Sequence, residues 1–417
     1  MPQPQPSDTS DALQKLTIRD SCLESGREPS VALPLVSRED QIAGLLDSEG
    51  NDQSQASENS GQLHLSSPVN AEQRSNWDLV RSNEAASEVS SPPPPPPDTW
   101  DSLATRSLAS LSELAFDAQA IDSLDWITEI LRSYTCLDDF LAKAPKELMF
   151  WFFQQRKTFL SQKTMTKWSR DNLDDYILLP AQNGFVSRSE CFFMSHFWLT
   201  QDHPDPDGEC LRLLQAELRP QHWSYIWVDW TCIPQSPRTQ AEETYFLRSL
   251  GTMPGIVRNC AFIWFYPPFE ARLWILFEIA EFTLTSIVEF EATPDIREFK
   301  DHIRQMVDTS VRSVLDKYGY KCTHNRDKAF LTSWLEILIL LRRLSVEIDD
   351  IRRIMDHLTW FQTTQVIIVK APGAVFELCK FQGTFILNGE RYKFTPFPKW
   401  VSSPIINHDT FPFVKGY

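Results

Sequence analysis

Trp274 and Glu278 stand four residues apart in the stretch "ARLWILFEIAEFTL", a spacing that places two side chains one above the other on a helix face. A lone carboxylate in so apolar a run costs several kcal/mol unless something pairs with it or uses it. On a helical wheel Leu273, Leu276, Phe277, Ile279, Ala280, Phe282 and Leu284 spread over most of the circumference. Trp274, Glu278, Glu281 and Thr285 fall within a band of roughly 60°. An aromatic face and a carboxylate can therefore flank one ligand. The plainer alternatives are that this band meets solvent, or that Glu278 pairs with Arg272 or Arg238.

Other polar residues with chemical potential sit where apolar, β-rich runs end. Ser195 and His196 follow "CFFM", Asp229 follows "YIWV", and the loop "WTCIPQSPR" comes next. In a parallel sheet with crossover helices, ligands bind at these carboxyl ends. Ser195 and His196 cannot act on each other as nucleophile and base, because neighbours on a strand point to opposite faces. A Cys232–His196 pair oriented by Asp229 would make a thiol hydrolase; a lone cysteine between Thr231 and Ile233 is more often a small hydrophobe.

The loop "DHPDPDGE" resembles a calcium loop only superficially. With Gly208 at the sixth position of an EF-hand, Leu214 falls where a bidentate Glu belongs. It reads instead as a helix start, with Asp205 as cap, Pro206 at the first position, and Asp207 and Glu209 complementing the dipole. The eight cysteines form no CxxC pair, and Cys322-Thr-His324 is an isolated Cys/His pair, so no metal site is expected.

Several kinds of element must position these groups. Residues 191–290 alternate short β-rich runs ("CFFMSHFW", "YIWVDW", "CAFIWFY", "SIVEF") with helical ones, and the strands are continuously apolar. That pattern predicts an α/β domain, a parallel sheet covered by helices on both faces. A helical prelude precedes it, with Leu124, Ile127, Ile130, Leu131 and Tyr134 at helical spacing and "KELMFWFFQQRKTFL" (146–160) as a second helix. Beyond it, "DIREFKDHIRQMV", "KAFLTSWLEILILLRRL" and "EIDDIRRIMDHL" read as helices. "TQVIIVKAP" and "FELCKFQGTFILNGERYKF" read as strands, with a hairpin at Asn388-Gly389. The expected organisation is an acidic, proline-rich disordered segment (1–120), the helical prelude (121–185), the α/β domain (186–310), and a helical then β-hairpin α+β region (311–417).

The first 120 residues hold 19 Asp and Glu against 7 Lys and Arg, so they carry most of the net charge of −16. No basic cluster stands out, which argues against nucleic-acid binding. The amino terminus lacks a basic, apolar signal, and charges break the apolar runs well short of a membrane span. These features predict a cytoplasmic protein with no membrane partner. The six prolines Pro92-Pro97 favour a polyproline II rod, either a spacer or a docking site for a proline-binding domain.

The order "FFMSHFW", "YIWVDWTCIPQ", "MPGIVRNCAFIWF" resembles the fungal heterokaryon-incompatibility (HET) domain. Its first strand typically ends Ser-Tyr-x-Trp, and its second reads Trp-hydrophobic-Asp-x-x-Cys-Ile-x-Gln. Ser195, Trp198, Trp227, Asp229, Cys232, Ile233 and Gln235 fit; His196 replaces the usual Tyr, and Leu199 stands where Gly often follows. The stretch is also similar to Toll/interleukin-receptor (TIR) domains, which have a flavodoxin-like sheet and carry Trp-x-x-x-Glu on their third helix. The resemblance covers about 95 residues, 191–286. In TIR domains that cleave NAD that Glu is catalytic, so the resemblance gives the role to Glu278, with NAD as substrate rather than cofactor. Trp274, Ser195, His196, Trp198 and Asp229 would line the substrate site, and Arg238 is a candidate phosphate contact. The resemblance further implies self-association and a part in cell-death or self/non-self signalling; many such domains do no chemistry and work as assembly modules.

Overall fold

The computed structural model describes residues 99–400 and 413–414, apart from 145–146, 183, 201, 267–268, 288–293, 323 and 372–373. The polyproline run, the acidic segment before it and most of the expected strand "SIVEF" lie outside the described residues. Its first two residues, Ser286 and Ile287, are not in a strand.

The central sheet is mixed, not wholly parallel. Strands β1 (Phe150–Gln155), β2 (Tyr176–Pro180), β3 (Cys191–His196), β4 (Tyr225–Trp227) and β5 (Ala261–Phe265) lie in the order β2-β1-β4-β3-β5. The expected parallel relation holds for β3 with β4 and for β3 with β5. Strand β1 runs antiparallel to both β4 and β2. The departure arises at "MFWFFQQ", which the sequence reading places in a helix. Its four aromatics are apolar on every side rather than on a helical stripe. Paired on both edges and covered on both faces, Phe150–Phe153 become a fully buried inner strand.

Alternation along β3 divides two cores. Cys191 and Phe193 belong to the larger core, under α7 (Gln240–Asn259) and α8 (Leu273–Leu284). Phe192 and Met194 belong to the smaller one, under α5 (Glu209–Leu218) with Phe159 and Trp223. By the same two-residue period, Ser195 and His196 continue onto opposite faces.

Helix α1 (Thr99–Leu114) lies within the stretch assigned by sequence to the disordered segment. Serines interrupt its apolar period, but Trp100, Leu103 and Leu111 are buried, and the Ser107 hydroxyl accepts the Leu178 N–H of β2 at 2.8 Å. Helices α2 (Ala118–Ser133), α3 (Leu137–Leu141) and the short α4 (Arg156–Ser161) follow, and α6 (Asp229–Cys232) is a single turn after β4. Asp205 does cap α5, accepting the N–H groups of Cys210 and Leu211 at 3.1 and 2.9 Å, but the helix begins at Glu209 with Gly208 left-handed before it. Pro206 therefore stands in the turn, not at the first helical position.

After α8 come α9 (Pro294–Asp308), α10 (Val311–Lys317), α11 (Asn325–Arg343) and α12 (Ile348–Trp360). An antiparallel meander of four strands, Val366–Ala371, Ala374–Cys379, Thr384–Leu387 and Glu390–Lys393, closes the fold. The last two are joined by Asn388 and Gly389 at φ 50° and 91°, the left-handed pair that a two-residue hairpin turn requires. All the described residues belong to one compact unit. Among them no helix is long and apolar enough to cross a membrane.

Candidate functional site

Two parallel strands and one helix bring the candidate residues together. The start of α8 is fixed by backbone bonds to a neighbouring segment: Lys321 N–H donates to Ala271 at 2.8 Å, and Leu273 N–H donates to Lys321 at 2.9 Å. From this anchor the helix presents Glu278 to the end of β3, where the Ser195 hydroxyl donates to its Oε2. Behind the serine, the hydroxyl of Tyr266, the first residue after β5, donates to Ser195 Oγ at 2.6 Å. Glu278 thus sits at the end of a short chain of hydroxyls.

Among the described residues no arginine or lysine pairs with Glu278. Arg272 pairs with Glu270 at 3.1 Å and lies over the Phe197 ring. Arg238 pairs with Glu243 at 2.6 Å, donates to the Pro234 carbonyl and lies 3.7 Å over Phe246. Both proposed ion pairs are therefore absent from the described structure, and Arg238, the candidate phosphate contact, is engaged elsewhere at the start of α7. Burial, only partly offset by the Ser195 hydrogen bond and reinforced by the charge of Asp229, pushes the Glu278 carboxyl up to about 8. At neutral pH this group holds its proton most of the time.

A second group forms where β3 and β4 end. His196 Nε2 and Asp229 Oδ1 are 2.7 Å apart, and the Trp198 indole donates to Asp229 Oδ2 at 3.0 Å. The Trp230 backbone N–H donates to Oδ1 at 2.6 Å. Burial works to raise the Asp229 carboxyl, but His196, Trp198 and the Trp230 amide together outweigh it and hold it below its ordinary value. Glu278 and Asp229 are thus two carboxyls driven apart, one raised and one lowered by its surroundings.

The thiol alternative fails on this geometry. Cys232 is fully buried, turns its sulfur toward the Ile226 carbonyl at 3.6 Å, and is pushed up to about 11 by burial. His196 gives its Nε2 to Asp229, not to the sulfur. Among the described residues no three His, Cys, Asp or Glu side chains gather as metal ligands would.

The band on the helical wheel resolves into two unlike halves. Trp274 and Glu278 keep partial exposure, with the Trp274 indole donating to Asp327 and its ring edge-on to Phe277 at 5.8 Å. Glu281 and Thr285 are wholly buried. Glu281 accepts from Arg258 and, at 2.6 Å, from the Trp334 indole; Arg258 also binds Asp356 at 2.6 Å and Thr359 at 3.0 Å. This cluster joins α7, α8, α11 and α12 and is structural. A wheel reports direction, not depth, so it cannot separate the two halves.

Tyr266 is the site residue that sequence reasoning missed. It ends "CAFIWFY", and the search for polar residues at strand ends, extended from the first two parallel strands to the third, would have found it. Compared with family models, with curated proteins and with solved structures, the chain matches none of them.

Proposed function

We propose that the protein is a HET/TIR-like signalling protein that cleaves NAD at the nicotinamide–ribose bond, with Glu278 as its catalytic residue. The observation that carries this reading is a carboxyl with no cation partner among the described residues, held at the carboxyl edge of a parallel strand by Ser195 and one helical turn from the Trp274 ring. Trp274-x-x-x-Glu278 is also one of the motifs that carry the resemblance.

The chemistry follows from charge. Breaking the bond between ribose C1′ and the pyridinium nitrogen returns the bonding pair to nicotinamide, which leaves neutral and needs no general acid. Positive charge then builds on the ribose ring, and a carboxylate beside it lowers that barrier. Water adds at C1′ and releases one proton, giving ADP-ribose, nicotinamide and H⁺. The reactive form of Glu278 is the ionised one, so its proton must leave first; a cationic pyridinium beside it favours that loss. His196 and Asp229 stand at the neighbouring strand ends as substrate contacts.

A second reading is a non-catalytic module that acts by self-association. It is favoured by the exposed Val366, Ile368 and Val375 of the carboxyl-terminal meander. Incubating the full-length chain with NAD and following free nicotinamide, with Glu278→Gln alongside, separates the two. Release that needs Glu278 supports cleavage, release that survives the substitution discards this site, and no release at any protein concentration leaves the assembly reading.

A further inference from the structure

We infer that Tyr266 is a positioning residue for Glu278, acting through Ser195 to set how readily the carboxyl gives up its proton. The inference rests on the cleavage reading for its functional meaning, but its physical content stands on three buried or half-buried groups in line. A serine hydroxyl has one proton and can turn to several acceptors. With the Tyr266 hydroxyl donating into Oγ at 2.6 Å, one serine lone pair is occupied, the serine proton cannot turn toward the tyrosine, and it points to Glu278. A hydroxyl that accepts a hydrogen bond is also a stronger donor. Both effects favour the carboxylate over the carboxylic acid.

Tyr266 comes from a different strand than Ser195 and does not touch Glu278 among the bonds described. The described bonds link it to the carboxyl through the serine, which makes the effects of the two residues non-additive. Other charged groups also surround Glu278. They are Asp229 beyond β4, the Arg272–Glu270 pair before α8, Asp327 of α11 on Trp274, and the Arg258–Glu281–Asp356 cluster. His302 of α9 is occupied by Tyr320 at 2.8 Å.

The test is a titration of the full-length chain with carboxyl-labelled glutamate, the Glu278 resonance being identified by its loss in Glu278→Gln. Tyr266→Phe keeps the ring and removes the hydroxyl, and it should raise the Glu278 midpoint by about half to one pH unit. Ser195→Ala should raise it at least as far, and adding Tyr266→Phe to Ser195→Ala should change nothing more. Site-specific 3-fluorotyrosine at 266, a stronger donor, should lower the midpoint; this arm also decides the matter should Tyr266→Phe fail to fold. An unmoved midpoint in Tyr266→Phe, an additive double variant, or a rise with fluorotyrosine overturns the inference. If NAD is cleaved, the rising limb of the pH–rate profile should track these midpoints, whereas a merely structural tyrosine would lower stability at every pH and leave the limb in place. If no variant cleaves NAD, the cleavage reading falls and the titration still decides the role of Tyr266.

Discussion

Glu278 and Glu281 stand three positions apart on one helix, yet Glu281 is locked to a buried arginine while Glu278, among the described residues, meets a serine hydroxyl. Equal in sequence terms, the two carboxyls are both raised by burial, but only Glu281 has a cation to offset it. One is neutralised by Arg258 and Trp334; the other stands in a protein interior that resists its charge.

Glu278→Gln should stabilise the chain in alkaline solution while abolishing cleavage. The folded carboxyl titrates at about 8 against an ordinary 4.5, so across that window the folded chain holds a proton that the unfolded chain releases. Stability therefore falls as pH rises from 4.5 to 8 and levels off above. Glutamine escapes this loss. Chemical denaturation should show the variant more stable than the parent by about 1–3 kcal/mol at pH 9 and little different at pH 5. Equal stabilities at pH 9 would show that the carboxyl is not held protonated.

Glu281→Gln should instead be costly. Removing one member of the buried cluster leaves Arg258 short of a partner, at a cost of about 3–5 kcal/mol. Denaturation midpoints across pH would measure it, and a loss below about 1 kcal/mol would show that Asp356 alone suffices for the arginine.

On the proposed mechanism, in which the ionised Glu278 is the reactive form, nicotinamide release by the parent chain should climb with pH through a midpoint near 8 and level off above it. Asp229→Asn should move that limb toward lower pH, since the aspartate charge is one of the forces holding the proton on Glu278. An Asp229→Asn limb that stays put, in a variant that folds, would separate the two carboxyls electrostatically.

Cys232 should be inert. A fully buried thiol raised to about 11 is almost wholly protonated at neutral pH, so iodoacetamide should label the exposed Cys136 and leave Cys232 unmodified in the folded chain. Cys232→Ala should retain nicotinamide release within about twofold of the parent, at a packing cost of about 1 kcal/mol. Rapid labelling of Cys232, or release lost with the substitution in a folded chain, would reopen thiol chemistry.

The sequence made visible what depends on short range. The apolar runs ending at Ser195 and Asp229, the four-residue step from Trp274 to Glu278, and the Asn388-Gly389 turn are all local signals, and the structure uses each of them. Longer-range partners were hidden. Nothing local tells Phe150–Phe153 that β4 and β2 will flank it, or tells Glu281 that Arg258, 23 residues earlier, will meet it in the interior. The Tyr266–Ser195 bond spans 71 residues and belongs to the same class. The sheet is three parallel strands at one side, β4, β3 and β5, extended at the other by the antiparallel β1 and β2.

The Arg258 cluster bears on where this chain can be cut. Residues 191–286 carry the motifs, but two of the side chains that complete the cluster, Trp334 and Asp356, arrive from beyond residue 310. A fragment ending at 310 would leave a guanidinium and a carboxylate of α7 and α8 facing water across a stripped apolar surface. The motif-bearing stretch is therefore not a portable cassette: transplanted into another protein it should aggregate unless residues 311–360 travel with it, and those helices are as much a part of the socket of α8 as the sheet beneath it.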